Sequence, residues 1–208
     1  FSNSAAEAVV DALRLARNFT GKDAIAVVDG GSHGLLGAAV WEAGRREEPI
    51  GANPAPGGSA DRGSFDGLIH EVPVNDADRF AGLVRSHGDR IGAFLIDPVP
   101  RDRTSTDADA AYLADVRALC DRFEVVLIID EATAGFRVAK GGAQELLGVR
   151  ADLCTFGPSI ASGFPIAALA GREEIMRRIG AGVAQGGSTA PHPVSLAVAD
   201  QTPEILDR

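Results

Sequence analysis

Val125-Val126-Leu127-Ile128-Ile129 is an unbroken apolar run that ends on the acidic pair Asp130-Glu131. A strand with one solvated face would show a polar residue at every second position; this run shows none, so it is covered on both faces. Strands of that kind belong to mostly parallel sheets, and ligands of such sheets bind beyond the carboxyl ends of the strands. Asp130 and Glu131 therefore stand where ligand contacts are expected.

Working outward, the flanking segments alternate between the two kinds of periodicity. Ala108 to Phe123 places Leu113, Val116 and Leu119 on one helical stripe, and Ile91 to Asp97 is a second buried strand. Nearer the start, Ser4 followed by Glu7 has the spacing of a capping box. Val9, Leu13 and Ala16 then form a stripe, and Gly21 ends the helix. Ala24 to Asp29 reads as a strand that runs into the turn Gly30-Gly31-Ser32-His33-Gly34. From Gly44 to Gly67 the content of Pro, Gly, Ser and charge rises, which marks a long surface excursion serving as a lid or a partner contact. After Glu131 come a Gly-rich loop, short strands at Asp152–Phe156 and Ile166–Ala170, and a helix over Glu173–Ile179. Alternating elements at this spacing predict an α/β fold: a mostly parallel central sheet with helices on both faces.

Composition narrows the function classes. The 208 residues correspond to one large domain, or one domain and a piece of another. Aromatic residues make up only 5%, so Val, Leu, Ile and Ala fill the core. A net charge of -9 and a pI near 4.9 argue against nucleic acid and anionic membranes as partners. No apolar run reaches the roughly 18 residues that a membrane span needs, and the start of the chain lacks a signal-peptide pattern, so the expected location is the cytoplasm. Cys120 and Cys154 have no metal or CxxC spacing and read as buried free thiols. The chain opens on Phe1 and enters a helix start almost at once, as a segment of a longer protein would. Lysine occurs only at Lys22 and Lys140, so any lysine chemistry has two places to sit.

The order of motifs resembles that of the class III aminotransferases. Asn3-Ser4-Ala5-Ala6-Glu7-Ala8, Gly31-Ser32-His33-Gly34, Val72-Pro73-Val74-Asn75-Asp76, Thr155 to Pro165 and Gly187-Ser188-Thr189 follow the family's sequence of motifs. Asp130 to Arg137 with Gly141-Gly142-Ala143-Gln144 is most similar to the glutamate-1-semialdehyde aminotransferase branch. The resemblance implies the large domain of a fold type I pyridoxal phosphate (PLP) enzyme across residues 1–208, without the family's N-terminal segment and C-terminal small domain. It also implies PLP or pyridoxamine phosphate as cofactor, a small amino or keto acid as ligand, and a homodimer or a dimer with a related subunit.

Family chemistry needs a lysine to form the Schiff base, an aspartate to keep the pyridine nitrogen protonated, a helix N-terminus for the phosphate and an aromatic ring on the cofactor face. By resemblance, Asp130 takes the aspartate's place, with Ala132 two residues on, and Ser4 retains one phosphate-contacting hydroxyl. Ala5-Ala6 replaces a Gly-Thr pair, Ser32 stands where the stacking aromatic belongs, before His33, and Ser188 replaces a threonine that reaches the neighbouring subunit's phosphate site. Pro158 stands at the position of the Schiff-base lysine. Proline has neither amine nor backbone N–H. Lys22, expected at the opposite end of the sheet, and Lys140, in a loop nearer the site, offer no replacement by spacing.

These residues also have plainer readings. Asp130-Glu131 is either a solvent-facing acidic pair or a pocket position, Ser4 is fully explained by capping a helix, and His33 fits a turn or packing role as well as catalysis. Asp97, ahead of Pro98, reads as structural; Arg101 to Arg103 read as a solvated loop. Arg137 reads as a structural or carboxylate contact, and His192 has no assigned role. Three functions follow: a PLP-independent or otherwise unconventional enzyme on this fold, a noncatalytic scaffold or partner of an active homologue, and a pyridoxamine-phosphate-dependent aminotransferase or aminomutase.

Overall fold

The computed structural model describes residues 1–29, 31, 33, 67–100, 106–185 and 190–207. The excursion expected from Gly44, the Arg101 to Arg103 loop, Ser32 and the Gly187-Ser188-Thr189 motif lie outside the described residues, apart from Gly67 itself.

Six strands form one sheet in the order β2-β1-β3-β4-β5-β6: β1 (Ala24–Val28), β2 (Ile69–Val72), β3 (Ile91–Ile96), β4 (Val126–Glu131), β5 (Leu153–Phe156) and β6 (Ala168–Gly171). The first five are mutually parallel and β6 runs antiparallel to β5. The α/β reading, with a mostly parallel sheet and helices on both faces, therefore holds. One face is covered by α2 (Ala77–His87) and α3 (Ala110–Phe123), with Phe80, Val84, Leu113 and Val116 against Phe94, Ile96, Leu127 and Ile129. The other is covered by α1 (Ala5–Thr20) and the single turn α5 (Glu173–Met176), with Val9, Leu13, Leu15 and Ile175 against Val27, Leu95, Val126 and Ile128. Every residue of β3 and β4 is buried, as the apolar runs require. Each fully buried Leu or Ile in these strands contributes about 1.5–3 kcal/mol.

α1 begins as its sequence dictates. The Ser4 hydroxyl accepts from the Glu7 N–H at 3.3 Å, the N-cap half of a capping box, and the Glu7 carboxylate reaches back to accept from the Asn3 N–H, one residue before the cap, at 2.7 Å. It ends at Gly21, whose φ of 70° only glycine adopts without strain. Because α1 leads directly into β1 and packs on the sheet, its N-terminus lies at the carboxyl ends of the parallel strands.

Several boundaries move for identifiable reasons. The helix expected from Ala108 starts at Ala110, because the Ala108 N–H is taken by the Pro98 carbonyl at 2.9 Å and Asp109 is extended. The strand expected from Ile166 starts at Ala168, since Ala167 exchanges two hydrogen bonds with Ser2 instead. The helix expected to reach Ile179 stops at Met176, where tighter bonds, Arg178 to Ile175 and Ile179 to Met176, lead into Gly180 at φ 79°. Sequence reading missed β2, α2, α4 (Gly142–Leu147) and α6 (Pro193–Leu206). β2 is a four-residue edge strand, Ile-His-Glu-Val, too short and too polar to announce itself. α2 does carry a signal: Asp76 accepts from the Arg79 N–H at 2.8 Å, ahead of a buried Phe80, Ala81 and Val84. No helix among the described residues is long and apolar enough to cross a membrane.

Candidate active site at the carboxyl ends of the strands

The pleat of β4 divides its residues between the two faces. Val126 and Ile128 pack on the α1 side and Leu127 and Ile129 on the α2–α3 side, so Asp130 projects toward α1 and Glu131 away from it.

Glu131 is wholly buried and structural. Its carboxylate accepts from the backbone N–H groups of Ala143 at 2.9 Å and Gln144 at 3.1 Å, which caps the first turn of α4. Gly142 lies over it at φ +71°, and a Cβ there would meet the carboxylate at 2.5 Å. The acidic pair is thus not a solvent-facing doublet.

Asp130 is also buried, at 4% exposure, and among the described residues no lysine or arginine pairs with its carboxylate. Its Oδ1 accepts from the Thr155 hydroxyl at 2.9 Å and from the Ala132 N–H at 3.1 Å; its Oδ2 faces His33 Nδ1 at 3.0 Å. Against a carboxylate, His33 Nδ1 is the donor. A carboxylate has about four acceptor positions, so these three contacts leave about one for a ligand N–H. Thr155 is placed by register, since Asp130 and Thr155 are direct partners on β4 and β5. His33 is 2% exposed and held at φ 33°; a Cβ on Gly31 would sit 2.4 Å from its Nε2, so the turn needs glycine there to admit the ring.

Asp97 joins this group. It follows Ile96, the register partner of Ile129, and so lies beside Asp130 at the end of the neighbouring strand. Burial, reinforced by the charge of Asp130, pushes its carboxyl up to about 7, against the pull of the Val99 N–H and of His33. Its Oδ1 accepts from Val99 N at 3.1 Å. The sequence suggested a structural residue here; the structure puts an acid that holds its proton near neutrality next to the site. Thr155 has no site role in the motif reading, and the register of adjacent strands is the signal that finds it.

The remaining candidates fall into place around them. Ser4, Ala5 and Ala6 form the first turn of α1 at this end of the sheet, but the Ser4 hydroxyl is engaged in its capping box. Pro158 opens a single 3-10 turn, Pro158–Ile160, directly after β5. Lys22 Nζ donates to the carbonyls of Phe123 and Glu124 at 2.8 and 3.1 Å, at the amino ends of the strands. A six-residue strand spans roughly 20 Å, so Lys22 is far from Asp130. Lys140 is exposed and paired with Asp207 beyond α6. Arg137 is exposed, and His192 caps α6 through the Ser195 N–H. Both cysteines are free, and burial raises both thiols, Cys154 to about 11.

The family model for aminotransferase class III matches residues 1–208. The chain belongs to the class III aminotransferases. Its curated relatives include glutamate-1-semialdehyde 2,1-aminomutases from Methanothrix thermoacetophila and Chlorobium phaeobacteroides, each 38% identical. The alignments cover 100% and 98% of this chain but 48% and 47% of those proteins, so the class III chain spans about half their length. Among solved structures, an omega-transaminase from Sphaerobacter thermophilus superposes with a TM-score of 0.86 at 32% identity, over 99% of this chain and 48% of that one. A lysine-to-alanine variant of a glutamate-1-semialdehyde-aminomutase from Pseudomonas aeruginosa PAO1, in complex with PMP, superposes with a TM-score of 0.77 at 25% identity, over 97% and 46%.

Proposed function

We propose that residues 1–208 are the large, cofactor-domain-like part of a class III aminotransferase-like protein whose site holds its ligand without covalent attachment. Lysine-dependent amino transfer by the family route does not take place here. The observation that carries this reading is the contrast at the site itself: a buried Asp130 carboxylate, preorganised by His33, Thr155 and the Ala132 N–H, with both lysine amines engaged elsewhere.

When bound, PLP supplies a ring that accepts electrons from a substrate carbanion. The donor set fits one end of that group and not the other. Asp130 has about one acceptor position left for a protonated ring nitrogen, and the first turn of α1 offers backbone N–H groups to an anion. Pro158, at the lysine's place in the motif order, supplies no amine, and Ala5-Ala6 supplies no hydroxyl. Asp130 and His33 orient a bound ring, and Asp97 holds a proton beside them. A noncovalent ligand of the pyridoxamine phosphate class, or a PLP-independent substrate carrying a cationic N–H, satisfies these groups. The PMP complex of the lysine-to-alanine relative supports the first of these two.

A second reading, a noncatalytic scaffold or partner subunit paired with itself or with an active homologue, draws on α6. That helix leaves Val194, Ile205 and Leu206 at least half exposed. Titration with pyridoxamine phosphate, PLP and candidate amino and keto acids separates the readings. Saturable binding that Asp130→Asn weakens at least about tenfold supports the noncovalent site. Absence of binding, with a stable dimer, supports the scaffold. An absorbance band between about 390 and 430 nm that borohydride abolishes means that a lysine does attach PLP, and overturns the proposal. In Pro158→Lys, gain of that band shows that the rest of the site is intact.

A further inference from the structure

β2 is the outer strand of the sheet, and α2 runs back along it. Arg79, Gly82, Leu83, Ser86 and His87 form one stripe of α2 at helical spacing. Facing Ile69, His70 and Glu71, they enclose an open groove of about 380 Å³. Gly82 keeps it open, with no atom within 4 Å of where its Cβ would be. In this groove the imidazole rings of His70 and His87 have centroids 5.4 Å apart and planes inclined at 36°.

We propose that His70 and His87 form a two-imidazole site for a borderline transition-metal ion of the Zn²⁺, Ni²⁺ or Cu²⁺ class, bridging the edge strand to the end of its helix. The ring separation is the first support. With metal–nitrogen bonds of 2.0–2.1 Å, two imidazoles on a tetrahedral ion have centroids roughly 5.3 Å apart, so the observed separation matches that of a chelating pair. The second is the electrostatic setting. His87 sits in the last turn of α2, where the outward-facing carbonyls favour a cation. Arg90, whose charge acts on His70, is paired with Asp23 through bonds of 3.3 and 2.8 Å. Arg79 is the remaining opposing charge. The third is positional: a hydrogen bond to the Gly67 backbone acts on the His70 ring in the way that orients metal-bound histidines. Among the described residues no group of three or more His, Cys, Asp or Glu side chains could hold a metal, so the centre has two protein nitrogens and water completes it.

The chain has four histidines, which makes the assignment testable. Equilibrium dialysis against Ni²⁺, and electron paramagnetic resonance with Cu²⁺, are run on the wild type and on His87→Ala, His70→Gln and His192→Ala. His87 is exposed at a helix end and His70→Gln preserves side-chain volume, so the folds are retained. One ion per chain with two coupled nitrogens is expected. His87→Ala and His70→Gln should each weaken binding at least about tenfold and leave one nitrogen coupled; His192→Ala should change nothing. No saturable binding below about 1 mM overturns the proposal, as does wild-type affinity in both the His70 and His87 variants.

Discussion

Two buried aspartates stand at opposite ends of neighbouring strands and are satisfied in opposite ways. Asp152, at the amino end of β5, accepts from Arg117 at 2.9 Å, Arg172 at 2.9 Å and the Leu127 N–H at 2.8 Å. Asp130, at the carboxyl end of β4, is bounded by the imidazole of His33, the Thr155 hydroxyl and a backbone N–H. The first carboxylate is cancelled by guanidinium groups and staples α3, β4, β5 and the end of β6 together. The second has no arginine or lysine partner among the described residues. Volume alone would mislead here: a groove of about 660 Å³ opens at the Asp152 end, lined by Arg117, Arg150 and Arg172 and by Asp121, Asp152 and Glu173, charges that answer one another. A carboxylate whose partners leave an acceptor position open is the one with something left to offer a ligand.

Substitution at the two positions tests that contrast most directly. Asp152→Ala leaves Arg117 without its buried partner, and urea unfolding should show a loss of about 3 kcal/mol or more. Asp130→Asn should cost less than about 1.5 kcal/mol, because the neutral amide still accepts from Thr155 or Ala132. Equal destabilisation by the two would break the distinction.

Asp97 sharpens it through pH. Its folded pKa of about 7 lies above the value of about 3.9 for an unfolded chain, so between those values the folded state binds the extra proton. The contribution is therefore fully present below about pH 4 and is lost as pH rises through about 7. Compared with wild type, Asp97→Asn should lose this dependence and be more stable at pH 8 by up to about 3 kcal/mol, measured by unfolding at pH 5 and pH 8. A difference between the two proteins that does not change with pH would mean that Asp97 is already ionised at pH 5. The smallest effect belongs to the start of α1: Ser4→Ala should lower stability by about 1 kcal/mol through loss of the cap. If it also weakens anion binding, the hydroxyl serves both purposes.

The strands that position the site were legible because each is an apolar run with no competing pattern: Ala24 to Val28, Ile91 to Ile96 and Val126 to Ile129. The outer strand Ile69–Val72 was not, since half its residues are polar and its role comes from pairing with Ile25 to Val28. Asp130 was legible as a strand-end acid within a motif. Thr155 was not, because a hydroxyl in a short strand is unremarkable until register sets it against that acid. Asp152 was hidden for the same reason: Arg117 and Arg172 are 35 and 20 residues away, and only folding brings them together.

The last two residues of β4 share a charge and almost nothing else. One faces α1 and His33 and the other pins a helix, and only the alternation of the pleat keeps them apart. A slip of β4 by a single residue would exchange their faces, present the longer acid to His33, and turn Ile129 out of the α2–α3 core. The arrangement at this end of the molecule is thus a readout of strand alignment: a chain that folded out of frame would retain its composition and lose both its helix cap and the acid beside His33 in one step.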